Sequence, residues 1–344
     1  MMNEISNTKK MNRLRFGVIG TNFIVDWVIA GGREDERFEL AAVYSRTQET
    51  ANAFAAKHDI PYTFTSLTAM AASPFIDAVY VASPNAFHAA QSIVCMEHGK
   101  HVLCEKSFAS NSREVCQMIA AARKNKVALM EAMKPTLTPN FFAAREALNR
   151  IGAVRRYFSC YCQYSSRYDK FCEGTILNAF RPELSNGALP DIGVYTIYPM
   201  VVLFGRPQTI KAAGFKLSSG VDGEGSVVFS YPSMDAAVLY SKIANSQLHT
   251  EIQGEEGNIV FDRINIISEV DLHFRDGRKE HISRPAQHNE YYYEVKEFID
   301  VVQSCRQEST VNSWENSLVT MEIMDEIRQQ LGIKYPADDK ENEE

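Results

Sequence analysis

Four short stretches of this 344-residue chain hold residues able to bind or transform a small molecule. The first is Gly20-Thr21-Asn22-Phe23-Ile24-Val25, which follows the apolar run ending at Ile19. A strand that turns on a glycine into a helix presents free backbone N–H groups and a positive helix end, a site for a pyrophosphate. The dinucleotide fingerprint G-x-G-x-x-G/A keeps only Gly20 of its glycines here. Asn22 is expected to replace the second, because Asn is the non-glycine residue that most readily accepts positive φ. A plain strand–turn–helix without a ligand is the competing reading. The second stretch is Ser45-Arg46, at the end of the second strand. An NAD site commonly puts a carboxylate there for the ribose 2′-hydroxyl, whereas a hydroxyl followed by a guanidinium suits the 2′-phosphate of NADP. NADP is therefore preferred over NAD, against the alternative of a solvated arginine.

The third stretch is Ser83-Pro84-Asn85-Ala86-Phe87-His88 and the fourth Glu105-Lys106-Ser107. Both fall at the carboxyl ends of predicted strands, where ligands bind parallel sheets. A Glu-Lys pair directly behind an apolar strand is either a salt bridge capping the sheet or a lysine donating to a substrate hydroxyl.

The elements that must position these stretches follow from periodicity. From Phe16 to Leu129 strand-like and helix-like runs alternate, with strands at 39–45, 76–82, 101–104 and 127–130 and helices at 47–58, 88–98 and 112–124. That alternation implies right-handed βαβ units and a doubly wound parallel sheet. After Pro135-Thr136-Leu137-Thr138-Pro139 the pattern changes to one helix, 141–149, and seven strands between 154 and 274. Two helices, 291–305 and 314–331, close the chain. Leu318, Met321, Ile323, Met324, Ile327 and Leu331 form an apolar stripe that reads as core. The expectation is an α/β protein, with a nucleotide-binding domain over 1–134 and an α+β domain over 135–336. The latter carries an open, mostly antiparallel sheet. A frayed acidic tail is expected over 337–344.

Composition narrows the function classes. Hydrophobic content of 45% and charged content of 23% are those of a soluble globular chain. A net charge of −7 without a basic run argues against nucleic acid. No run approaches the ~18 apolar residues of a membrane helix, and the polar start Met1 to Arg13 lacks a signal-peptide core. Seven cysteines without C-x-x-C suggest reduced, buried thiols in a cytoplasmic protein and no zinc site. Cys160 and Cys162 share one face of a strand, an awkward geometry for a disulfide.

The motifs together resemble the glucose–fructose oxidoreductase/inositol dehydrogenase/MocA family of NAD(P)-dependent oxidoreductases. Pro84-Asn85-Ala86-Phe87-His88 matches its P-N-x-x-H, and Glu105-Lys106 matches the start of its E-K-P, with Ser107 in place of proline. Gly187-Ala188-Leu189-Pro190-Asp191-Ile192-Gly193-Val194-Tyr195 matches G-x-x-x-D-x-G-x-[HY] from its second glycine onward. The similarity spans nearly the whole chain, including the final helix with Asp325-Glu326-Ile327-Arg328. Tyr195, where many members carry histidine, resembles the branch of sugar and diol dehydrogenases.

The resemblance implies hydride transfer between nicotinamide C4 and a carbinol carbon of a sugar, polyol or diol. It implies Lys106, Asp191 and Tyr195 as catalytic residues. A free tyrosine, with a pKa of about 10, is a poor base at neutral pH. A neighbouring ammonium would lower that value, the task given to Lys106. Tyr195 would be base in oxidation and acid in reduction. Asp191, one helical turn earlier, would bind substrate or orient Lys106, or else cap a helix after Pro190. Cofactor contacts are expected from Gly20, Thr21, Asn22, Phe23, Ile24, Ser45, Arg46, Ser83, Pro84, Asn85, His88, Glu105 and Lys106. Arg167, Tyr168 and Arg181 are candidates for the pocket wall, and Glu131 to Lys134 for the nicotinamide ribose. No metal is expected. The partners would be a small polyhydroxylated substrate and a second subunit across the open sheet. A dinucleotide-binding regulatory protein of the same fold, without turnover, is the rival.

Overall fold

The computed structural model describes residues 13–339; the polar leader Met1 to Asn12 and residues 340–344 lie outside it. Its first sheet contains β1 Leu14–Ile19, β2 Phe38–Tyr44, β3 Tyr62–Phe64, β4 Ala78–Val81, β5 His101–Glu105 and β6 Leu129–Ala132. All pairings are parallel, in the order β3-β2-β1-β4-β5-β6. The crossovers are α1 Phe23–Gly32, α2 Gln48–His58, α3 Leu67–Ala71, α4 His88–Glu97 and α5 Ser112–Asn125. Every residue of β4 is buried, as an apolar strand covered on both faces requires. Short β3 and α3 had no distinct periodic signal.

The second sheet has eight strands: β7 Val154–Cys162, β8 Thr209–Lys216, β9 Asp222–Ser230, β10 Asp235–Ser241, β11 Thr250–Gly254, β12 Gly257–Phe261, β13 Val270–Phe274 and β14 Lys279–His281. Their order is β14-β13-β12-β11-β7-β10-β9-β8, antiparallel except for β7 beside β10. Alternating burial along β9 and β12 marks one covered face and one open face. The covered face packs on α6 Pro139–Glu146, α8 Val194–Phe204 and α10 Trp314–Leu331. A short helix, α7 Tyr168–Cys172, follows β7. On α10, Met321, Ile323, Met324 and Ile327 of the stripe are buried and Leu318 and Leu331 half-buried, between the Ser313 cap and Gly332 at φ 65°.

The last helix pair is split between the sheets. Helix α9, Tyr292–Gln303, returns to the first sheet, where Phe298 lies 5.9 Å from Phe16. Arg37 pairs with Asp300 at 2.7 Å and Lys134 with Glu290 at 2.7 Å, fastening this return.

Three expectations are corrected. The tail is not frayed where it is described: Ala337 is buried and Asp338 takes Arg328 at 2.6 Å, so burial and pairing hold it. The cysteines are unpaired but not all buried, because Cys116, Cys172 and Cys305 are exposed; Cys160 and Cys162 stay as thiols with sulfurs 3.7 Å apart. By length and composition, Pro182–Phe204 could cross a membrane, contrary to the expectation; 72% of its most apolar window is buried within the protein.

Candidate active site

A cleft of about 1040 Å³ lies between the amino end of α1 and the carboxyl ends of β7, β10 and β12. Phe23, Ile24 and Trp27 of α1 form one wall, and Lys106, Asp191, Tyr195 and Lys242 form its inner end.

The α1 end is built by Gly20 and Asn22, but not as the fingerprint suggested. Gly20 carries φ +112°, and a Cβ there would lie 2.6 Å from the Ala82 carbonyl oxygen. Only glycine allows β1 and β4 to approach so closely. Asn22 is not at positive φ; at −86° it is the N-cap of α1. Its side-chain oxygen accepts from the N–H groups of Ile24 at 3.0 Å and Val25 at 3.4 Å. Its amide donates to the Ala82 oxygen at 3.0 Å, so it ties the helix start to the end of β4. Thr21 and Ile24 are half-buried and Phe23 is exposed beside this turn. Ser45 and Arg46 follow β2 at the same sheet edge; Arg46 is exposed and has no ion pair among the described residues.

The Ser83 to His88 segment is braced rather than open. Pro84 and Ser83 are half-buried. His88, buried, places its ring nitrogens 2.9 Å from the Ser107 carbonyl and 2.7 Å from the Ser83 carbonyl. Burial holds its pKa below the ordinary value despite those carbonyls. The imidazole lies between the two loops and, as a neutral ring, donates to one of these carbonyls. Asn85 donates to the Ser185 carbonyl at 2.9 Å, joining the two sheets' loops. Glu105 is buried off the cleft wall, accepts from the Tyr80 hydroxyl, and has its pKa raised by burial.

At the inner end three distant segments meet. The Lys106–Ser107 peptide is cis. Ser107 donates through its hydroxyl to the Pro190 carbonyl at 2.8 Å, a bond the proline of the related motif could not make. Lys106 Nζ donates to the Asp191 backbone oxygen at 2.8 Å and to its Oδ1 at 3.0 Å. Asp191 belongs to a single π-helical turn, Leu189–Gly193, that runs into α8, and it is not an N-cap. The capping role falls to Asp222, whose two carboxylate oxygens accept from Ala188 and Leu189 N–H groups at 3.1 and 2.7 Å. Lys242 Nζ takes the other Asp191 oxygen.

Burial alone would raise the Asp191 carboxyl. The charges and hydrogen bonds of Lys106 and Lys242 outweigh burial and hold it well below the usual carboxylate range. Lys106 is likewise disfavoured by burial, yet the Asp191 and Glu105 charges raise its pKa. Both groups stay ionised.

Tyr195 is half-buried, with its ring centroid 5.2 Å from Lys106 Nζ and 5.8 Å from the Tyr161 ring. The expected lowering of its phenol is corrected. Burial, then the charges of Glu105, Tyr161 and Asp191, raise it well above its ordinary value. The ammonium lies against the ring face and is already balanced by Asp191, so Tyr195 rests as a neutral phenol.

Of the remaining candidates, Arg167 and Lys134 line the cleft. Tyr168 instead packs with Phe171 and Phe180, and exposed Arg181 pairs with Glu183. Glu131 does not follow the last strand but lies inside β6; it is buried and accepts from the Phe108 N–H at 3.1 Å. Met133 is fully buried. Sequence reasoning missed Lys242, although it shows the signal that singled out Lys106, a charge directly behind an apolar strand.

Comparisons with known proteins add the following. Residues 14–133 match the GFO/IDH/MocA oxidoreductase family model with an NAD-binding Rossmann fold, and residues 142–260 match its C-terminal domain. The scyllo-inositol 2-dehydrogenase (NADP(+)) IolU of Bacillus subtilis is 54% identical over 94% of this chain and 99% of that protein. A trans-1,2-dihydrobenzene-1,2-diol dehydrogenase of Xenopus tropicalis is 31% identical over 87% of this chain and 91% of its own length. An aldose-aldose oxidoreductase from Caulobacter crescentus, solved with glycerol, superposes with TM-score 0.83 at 20% identity, over 92% and 97% of the two chains. KijD10, a 3-ketoreductase from Actinomadura kijaniata solved with NADP and TDP-benzene, gives 0.81 at 22% identity, over 93% and 98%. At such identities these two structures share the fold.

Proposed function

The chain belongs to the GFO/IDH/MocA oxidoreductases, and on that premise we propose that it moves a hydride between NADP and a carbinol carbon of a small sugar, polyol or diol. The turn at Gly20 delivers the chain to the amino end of α1, and the positive end of that helix suits the pyrophosphate. Exposed Arg46, with no ion pair among the described residues, lies beside Ser45, suits the 2′-phosphate and favours NADP over NAD. When bound, the nicotinamide supplies the hydride acceptor or donor.

The residues of the chain handle the proton and the orientation. Lys106, anchored on Asp191, donates to the reacting oxygen. Tyr195, a neutral phenol at rest, gives its proton to that oxygen in reduction and receives one in oxidation only after ionising. The observation that carries this reading is that Lys106, just after β5, and Tyr195, in α8, meet at the end of one cleft, with Lys106 Nζ 5.2 Å from the Tyr195 ring centroid. The open face of the second sheet, with Phe215 and Val228 exposed, is proposed to pair two subunits; sedimentation at micromolar concentration reads this directly.

A panel of sugars, polyols and diols, with scyllo-inositol included, is to be read with both cofactors through nicotinamide absorbance. Lys106→Met should lose turnover by about 100-fold or more while NADP still binds. A variant that turns over at the parental rate refutes the assignment.

A further inference from the structure

We propose that Lys242 is a positioning residue for this reaction: it holds Asp191 in the one orientation from which Asp191 can hold Lys106. The proposal rests on the role given to Lys106 above. Lys242 directly follows β10 and is 3% exposed, although it carries a full-length charged side chain into the cleft end. Its backbone is fixed on both sides, N–H to the Gly223 carbonyl at 2.9 Å and carbonyl to the Ser165 N–H at 2.9 Å. Its ammonium lies 5.3 Å from the Phe180 ring centroid and bonds Asp191 Oδ2.

A carboxylate on a short side chain has two lone-pair edges. With Lys242 on one oxygen, the other faces Lys106 at 3.0 Å, and the Asp191 carbonyl gives Lys106 a second acceptor at 2.8 Å. Asp191 is 35% exposed at its side chain, so without Lys242 it is free to turn toward water and leave Lys106 one acceptor. A lysine there merely filling space would be an expensive choice, because burying an ammonium costs several kcal/mol unless it is paired. Asp222, facing Lys242 from β9, accepts two backbone N–H groups and is not a competing partner for its ammonium.

The test compares Lys242→Met, Lys242→Gln and Lys242→Arg with Lys106→Met, using NADP and the fastest alcohol of the panel. Expected for Lys242→Met is a fall in kcat of about 10- to 100-fold with KM for both substrates within about threefold. Lys242→Arg should recover most of the rate. A crystal structure of Lys242→Met should show Asp191 turned and its Oδ1 no longer in contact with Lys106. Should Lys242→Met fail to fold, a slow Gln variant beside an active Arg variant supports the same conclusion. Parental kcat in the Met or Gln variant, an unmoved Asp191, or a rise in substrate KM at unchanged kcat each overturns it. Because Lys106→Met is measured alongside, its loss of activity with Lys242 variants unaffected refutes only this inference. Activity retained in Lys106→Met refutes the reading beneath it.

Discussion

Glu131→Gln should stabilise the protein, and by an amount that grows with pH. Glu131 is 2% exposed within β6, and burial pushes its carboxyl from 4.5 up to about 8. The Ser317 and Phe108 hydrogen bonds oppose that rise without cancelling it. Below pH 4.5 the group is protonated in folded and unfolded chains, so it contributes no pH dependence. Between 4.5 and about 8 the unfolded chain releases the proton while the folded one keeps it, and stability falls as pH rises. Above that range both forms are ionised and the loss is constant. At about 1.36 kcal/mol per pH unit the ceiling is about 5 kcal/mol, and local relaxation should reduce it to about 2–3 kcal/mol. Glutamine keeps an oxygen for the Phe108 N–H and has no proton to lose. Urea unfolding of both proteins at pH 5 and pH 8.5 reads the difference. The advantage of the variant should be under about 1 kcal/mol at pH 5 and about 2–3 kcal/mol at pH 8.5. An advantage that does not change with pH, or a variant less stable than its parent at pH 8.5, would refute the account of a neutral buried carboxyl.

Three further outcomes are expected. Arg46→Ala should weaken NADP binding about tenfold or more, the worth of a charge-assisted bond, and leave NAD affinity unchanged; equal effects on both in a fluorescence titration would remove Arg46 from the 2′-phosphate site. Gly187→Ala should destabilise the protein by more than about 2 kcal/mol and abolish turnover, since Gly187 sits at φ +151° and its Cβ would lie 2.2 Å from Asp222 Oδ1; an unchanged melting temperature would contradict this. Because Tyr195 is held protonated, oxidation should quicken as pH rises from 7 to 10 while reduction slows, and flat kcat profiles in both directions would exclude Tyr195 as the proton carrier.

The nucleotide-binding half was legible because its signals are local. Apolar runs such as Ala78–Val81 must be covered on both faces, and their alternation with helices leaves few topologies. The positions of Lys106, Asp191 and Tyr195 were legible through short motifs. What could not be read was the partnership of side chains separated by long stretches of sequence. Nothing local tells that His88 spends its ring on the Ser83 and Ser107 carbonyls, or that Lys242 meets Asp191. Asn22 was misjudged for the opposite reason. Its residue type suits both positive φ and an N-cap, and only the backbone chooses. The Tyr195 phenol was misjudged because the effect of an ammonium depends on whether it faces the hydroxyl or the ring, and on what already neutralises it.

The return of α9 to the first sheet bears on how new specificities could arise. The Lys134–Glu290 and Arg37–Asp300 pairs and the Phe16–Phe298 contact rivet the later half of the chain across the earlier one. An aperture framed in this way resembles a keyhole more than a jaw: a bulkier alcohol is not accommodated by swinging the halves apart. Substrate range should therefore change through replacements along the rim, at positions such as Arg167, Leu248 and Arg263, rather than through changes at a hinge.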